Sequence, residues 1–322
     1  MTIDEKIVQL RHTIQQQLQP LVQSDYVLWG LPYHENIGDT LIWQGELAFL
    51  KQLPFNCIGT CGWNRLPQQG QLPQGTTLLL HGGGFMGDVW REAWNSMLTR
   101  LSAYAHHPIV LLPNTLYYSD EQLMADDAKR LAQFSQLTIC LRDQRSYQLA
   151  QAHFSNPVLL VPDMAFCVST QPLRQMAKTA NHRGTLLLKR NDKEATQITL
   201  PYLPNMEQHD WPTVGESLHW QDHTFDFIQR ITSCAERRWP LIATTLQQLE
   251  SLYAYHIYRN YLIHSGVKLL TPYQHIITTR LHGMILSMLL NKPVSYIDNS
   301  YGKISAFYNT WLSDVDNVKP WP

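Results

Sequence analysis

The sequence predicts an α/β protein built as two lobes with parallel sheets and a cleft between them. Three observations carry this. The 322 residues exceed one ordinary core and suit two, at roughly 150 residues per domain. Short apolar runs that end in glycine or polar residues alternate with helical stretches, the signature of parallel βα units. A polar stretch at 169–183 then interrupts the alternation before it resumes, which puts the lobe boundary near residue 168, with lobes of 1–168 and 169–322.

The chain opens with Ile3, Ile7, Leu10, Ile14, Leu18 and Leu21 at helical spacing with glutamines between them, so an amphipathic helix ending near Pro20 is expected, packed on the first lobe. A membrane-surface helix would need lysines where these glutamines stand. Strands follow at 26–29, 77–80, 109–112, 137–141 and 158–161, and in the second lobe at 185–188, 240–244, 275–278 and 293–297. The glutamine and proline segment 66–74 is expected to be a surface loop. The region 200–221, with Trp211, Trp220 and three prolines, is irregular and forms either a loop over the cleft or an insertion.

Hydrophobic content of 44% with 16% charged residues is that of a globular chain. The net charge of -1 and the lack of a basic block exclude a general nucleic-acid binder, so any anion must be held by a local site. Five scattered cysteines fit a reducing cytoplasm. Asp4, Glu5 and Lys6 stand where a signal peptide would build its apolar run, and no apolar stretch of membrane-spanning length follows. A cytoplasmic protein is expected, with peripheral contact at the cytoplasmic membrane face left open. No cluster of carboxylates, cysteines or histidines calls for a metal, and no cofactor is expected.

Ligands of open α/β sheets bind at the carboxyl ends of strands, near helix N-termini. Four segments occupy such places. At 30–39, Asn36, Gly38 and Asp39 precede a helical pattern, as a turn with Asp39 capping the helix or as a ligand contact. At 81–88 the run HGGGFMGD follows a strand; Gly83 and Gly84 would let a ligand lie against main chain, while His81 and Asp88 either face it or satisfy loop backbone. The run has neither a Walker lysine nor GxGxxG spacing, which sets ATP and NAD aside. At 187–194, LLKRNDKE offers Arg190 as a phosphate grip or else a solvated turn. At 275–290, Arg280 and His282 sit where a strand gives way to an apolar helix, as an anion and proton-transfer pair or as a helix cap.

In order and spacing these segments resemble the polysaccharide pyruvyltransferase family over residues 26–312. The patches are NIGD at 36–39, HGGGFMGD at 81–88, LRDQRSYQL at 141–149, VPDMAF at 161–166, LLLKRNDKE at 186–194 and the run from Thr278 to Trp311, which holds Arg280, Leu281, His282 and Gly283 and, downstream, Tyr301, Gly302 and Lys303. The resemblance implies two Rossmann-like lobes in the GT-B glycosyltransferase arrangement, phosphoenolpyruvate at the second lobe and a sugar acceptor, lipid-linked or polymeric, at the first. It implies donor contacts from Arg190, Arg280, Leu281, His282 and Lys303, and acceptor contacts from Asn36, Gly38, Asp39, Gly83, Gly84 and Asp88. In the expected mechanism His282 protonates the donor methylene, Arg280 and the other cations hold its charge, and Asp39 or Asp88 orients or deprotonates the acceptor. Trp63, Trp90 and Trp94 are candidates for stacking on sugar rings. The competing expectations are a nucleotide-sugar glycosyltransferase of the same shape and a non-catalytic glycan or phosphate binder.

Overall fold

A computed structural model describes residues 1–62, 72–178, 183–196, 205–212 and 220–322. The first sheet comprises β1 (Tyr26–Leu31), β2 (Cys57–Gly62), β3 (Thr77–Leu80), β4 (Gly83–Gly87), β5 (Ile109–Tyr117), β6 (Leu137–Leu141) and β7 (Val158–Leu160). Its order is β2-β1-β3-β5-β6-β7, with β4 also paired to β5. The second sheet comprises β8 (Arg183–Leu188), β9 (Met206–His209), β10 (Tyr273–Thr278), β11 (Val294–Tyr296) and β12 (Val318–Pro320), in the order β12-β11-β10-β8-β9. Every described pairing is parallel.

The strands are near-continuous apolar runs because both faces of a parallel sheet are covered. Successive side chains go to opposite sides. Leu28, Leu79, Val110 and Cys140 enter one apolar cluster, and their neighbours Val27, Leu78, Ile109 and Ile139 enter the other. The first of these clusters also takes in Leu186, Leu188 and Ile276 of the second sheet, so a continuous core runs between the two halves.

The opening helix, Ile3–Leu18, starts with a capping box in which Thr2 accepts from the Glu5 amide and the Glu5 carboxylate accepts from the Thr2 amide, a device worth about 1 kcal/mol. It does not sit on the first half alone. Arg11 donates to the Phe166 carbonyl at 2.6 Å, Lys6 pairs with Asp314 at 2.7 Å and Asp4 pairs with Arg174, so the helix clasps the crossing between the halves and the end of the chain.

Residues 240–244, expected as a strand, begin the helix Pro240–Tyr253. The β-branched Ile242, Thr244 and Thr245 suggest a strand, but Pro240 at the first turn presets helical φ, and Ile242, Leu246, Leu249 and Tyr253 repeat at helical spacing. β2, β4, β9 and β12 went unread in the sequence. In β4 the glycines that suggest a loop pair with β5 instead, and Gly83, at φ +144, takes a backbone conformation that side chains rarely adopt. Of the segment expected as a loop at 66–74, residues 66–71 lie outside the described residues.

Candidate active site

A cavity of about 560 Å³ opens where the carboxyl ends of strands from both sheets face each other, a volume suited to a small ligand. From the first sheet come Gly30 at the end of β1 and His81 and Gly82 after β3; from the second come Arg190 after β8 and Arg280, Leu281 and His282 after β10.

Arg280 is the N-cap of the helix Leu281–Leu289, in extended conformation and without a side-chain cap of its own, so the first helical amides and the helix dipole point where an anion is favoured. His282, one residue into the helix, is buried, and its Nε2 lies 3.2 Å from Asp163 Oδ2. Arg142 donates to the same oxygen at 2.6 Å. Burial alone would raise the Asp163 carboxyl, but His282 and Arg142 hold it well below the usual carboxylate range. Asp163 therefore fixes the ring with its Nδ1 edge beside Gly38, where a Cβ would stand 2.6 Å from Nδ1.

The cations that Arg190, Arg280 and Lys303 bring to the cavity are already paired. Arg280 forms a two-pronged pair with Asp210, with Nη2 to Oδ2 at 2.7 Å. Arg190 grips Asp192 at 2.8 and 2.9 Å and reaches Glu194 at 2.8 Å. Glu194 Oε2 also accepts from Asn299 and Tyr301 at 3.0 Å each and from Lys303 at 3.4 Å, while Oε1 accepts from Trp90 Nε1 at 3.0 Å. Burial opposes the charge on Glu194, yet Lys303 and Arg190 outweigh it and keep the carboxyl far below its ordinary value. Burial lowers Lys303 from its usual value, Glu194 acting against the shift. Gly84 makes room for this amine, since a Cβ there would stand 2.5 Å from Nζ and 3.1 Å from Arg142 Nη2.

On the first-sheet side the helix Ile37–Leu50 is capped by Asn36, whose side chain accepts from the Gly38 amide at 2.9 Å. Asp39, expected as the cap, stands in the first turn, accepts from Asn36 Nδ2 at 2.9 Å and lines the cavity. Seven residues on, and so on the same helix face, is Glu46. Its fully buried carboxylate accepts from the Gly82 amide at 2.9 Å and lies 2.8 Å from His81 Nδ1. His81 Nε2 is buried and has no hydrogen-bond partner among the described residues.

The structure thus brings Arg190, Arg280, Leu281, His282 and Lys303 together with Asn36, Asp39 and Gly84 around one cavity, with Gly38 packed against His282 and Gly83 near Asp39, whose Oδ1 would stand 3.9 Å from a Cβ at that position. Asp88 stands apart. Its carboxylate accepts from the Ser119 amide and hydroxyl and the Asp120 amide, tying down the turn after β5. Trp94 is buried in the core and donates to Asp127 at 2.9 Å, so it presents no face to a sugar; Trp90 lines the cavity; Trp63 lies outside the described residues. Sequence reasoning missed Arg142, Asp163, Asp210 and Glu46, the partner of His81, as parts of the site. Arg142 and Asp163 lie in the LRDQ and VPD patches, where a charged residue directly after an apolar strand was the available signal. Asp210 sits just past β9, and nothing in its local pattern marks it.

The family model described as polysaccharide pyruvyl transferase matches residues 36–301. The chain is 28% identical to EpsO of Bacillus subtilis over 99% of this chain and 93% of that protein. It is 27% identical to Pyruvyl transferase 1 of Schizosaccharomyces pombe over 88% of this chain and 69% of that one. A solved structure of a functionally uncharacterized Klebsiella pneumoniae protein superposes with a TM-score of 0.60 at 17% identity, covering 93% of both chains, which is a likeness of fold.

Proposed function

The chain belongs to the polysaccharide pyruvyl transferase family, and from that premise we propose that it moves a pyruvyl group from phosphoenolpyruvate onto two hydroxyls of a sugar, forming a cyclic ketal and releasing phosphate. The observation that carries this reading is the meeting of Arg190, Arg280 and Lys303 with His282 around the cavity. Phosphoenolpyruvate has a carboxylate and a phosphate on one enol carbon, so it needs several cations and one acid in close quarters. Arginine suits the phosphate because its planar fork binds two oxygens at once.

In the proposed mechanism the donor lies against Arg280, Leu281 and Arg190, with Lys303 as a further anion contact. His282, oriented by Asp163, gives a proton to the methylene carbon and leaves cationic character at C2 for a sugar hydroxyl to capture. Departure of phosphate and capture by a second hydroxyl close the ketal. The acceptor approaches from the Asn36, Asp39 and Gly84 side, and Asp39 orients it. The two-lobe division at residue 168 and a cytoplasmic setting, with a lipid-linked acceptor at the membrane face, belong to the same proposal. No described helix is long and apolar enough to cross a membrane.

The test is phosphate release from phosphoenolpyruvate by the purified protein with a panel of sugar acceptors, beside His282→Ala and Arg280→Ala. Release that needs both an acceptor and His282 supports the reading. Stabilisation by a nucleotide sugar, with no release from phosphoenolpyruvate, would replace it with glycosyl transfer.

A further inference from the structure

We propose that His81, held by Glu46, is the base that takes the proton from the first acceptor hydroxyl and then hands it to the departing phosphate. This rests on the pyruvyl-transfer reading and assigns a role to a pair that the donor site leaves unused.

The Glu46 carboxylate is wholly buried and accepts from two donors. One is the Gly82 amide, on Oε1; the other is His81 Nδ1, at 2.8 Å from Oε2. A carboxylate only accepts, so Nδ1 carries the hydrogen and Nε2 holds the lone pair in the neutral ring. That Nε2 has no hydrogen-bond partner among the described residues although it is buried, a costly condition for a polar atom. His81 lines the cavity, so a ligand hydroxyl there would supply the missing partner.

The surroundings suit a group that gains and loses a proton. Burial disfavours a charged ring, but Glu46, Asp39 and Asp163 outweigh it and shift His81 upward, so the imidazolium formed by accepting a proton is stabilised where it stands. Asp39 and Glu46 share one helix face two turns apart, which puts the acceptor-orienting carboxylate and the base support on the same side of that helix. Asp88, the other carboxylate expected to serve the acceptor, is committed to the Ser119 turn.

The proton count closes with two histidines. His282 gives its proton to the donor CH2, making CH3, and the first hydroxyl oxygen bonds to C2 while its proton passes to His81 Nε2. The C2–O bond to phosphate then breaks and phosphate leaves with the His81 proton. The second hydroxyl bonds to C2 and its proton returns to His282, so both rings end as they began.

The test uses the full-length protein with phosphoenolpyruvate and the acceptor identified from the panel, comparing His81→Gln and Glu46→Gln with wild type. Glutamine at 46 can still accept from Gly82 but presents an amide donor to Nδ1, which moves the hydrogen to Nε2 and removes the lone pair from the cavity. Both variants are expected to lose about 100-fold or more in kcat, the range in which one acid–base group contributes, while calorimetric affinity for phosphoenolpyruvate stays within threefold. A loss of kcat below tenfold in either variant would overturn the assignment. So would a loss of donor affinity and melting temperature in parallel with kcat, since that is what a packing role predicts. A wild-type protein that transfers nothing from phosphoenolpyruvate would overturn pyruvyl transfer itself, and this assignment with it.

Discussion

Replacing Gly38 by alanine adds one methyl group at the most sensitive point of the site. The new Cβ would stand 2.6 Å from His282 Nδ1, 2.9 Å from its Cγ and 3.0 Å from its Cβ, against about 3.5–4.0 Å for unstrained contacts between carbon atoms. The obstacle is a ring and its attachment, so no flexible end can swing away. The ring or the helix Ile37–Leu50 must move by roughly 1 Å. Helix propensity favours alanine by up to about 1 kcal/mol, whereas overpacking costs about 1–3 kcal/mol, so net stability should change little. Catalysis should not be spared: a shift of that size stretches the 3.2 Å contact with Asp163, and misplacement by 1 Å costs on the order of 100-fold. Steady-state kinetics should show kcat down by about that factor, with the melting temperature within a few degrees of wild type. Gly59→Ala, whose Cβ would meet only Val27 at 3.6 Å, is the matched control. Turnover within threefold of wild type in Gly38→Ala would refute the idea that the His282 ring position is tightly set.

Further expectations come from the same contacts. Asp163→Asn removes the charge that compensates a wholly buried Arg142, so it should cost about 3–5 kcal/mol, visible as a melting temperature lower by roughly 6 °C or more. An unchanged melting temperature would show that the pair is not structural. Asp163 and Glu194 both titrate well below their ordinary values in the folded protein, so the unfolded chain takes up protons first. Their stabilisation is complete above about pH 5, starts to fall as the unfolded chain protonates near pH 4, and goes on falling toward the lowered folded-state values; thermal melts from pH 7 to 3 should show the onset of this drop, and Glu194→Gln should flatten it. Trp94→Phe loses a core hydrogen bond to Asp127 and should lower stability by about 1–2 kcal/mol with KM for both substrates unchanged. Trp90→Phe, which releases Glu194, should raise KM for the donor at nearly unchanged stability.

What could be read from the sequence followed from how each contact is encoded. The central strands β1, β3, β5, β6, β8 and β10 announce themselves because a doubly covered strand must be a continuous apolar run. β2 and β9 lie at sheet edges, and β2, CIGTCG, is largely exposed or half-buried, so burial left no such mark. Arg280 and His282 were legible because strand end, polar pair and apolar helix are contiguous. Their counterparts Asp210 and Asp163 lie 70 and 119 residues away, and no local pattern encodes a partner at that distance. Asp88 misled for the same reason: a carboxylate after a glycine run has the right chemistry, and only the position of Ser119 shows where it is spent.

The prior pairing of every cation at the donor end shapes which anions can enter. Arg280, Arg190 and Lys303 each face a carboxylate, so the pocket is close to charge balance before anything binds, and a simple anion must displace a neighbour that is already well placed. A single phosphate gains little by that exchange. A compound with two anionic groups on one carbon can replace two carboxylates in one event and lose its translational freedom once, a chelate advantage. Under the proposed transfer one of its bonds breaks and only phosphate remains, so the advantage would disappear and Asp192, Asp210 and Glu194 would compete for their arginines and lysine again. The same three acids that balance the charge of the site would then help to expel the product.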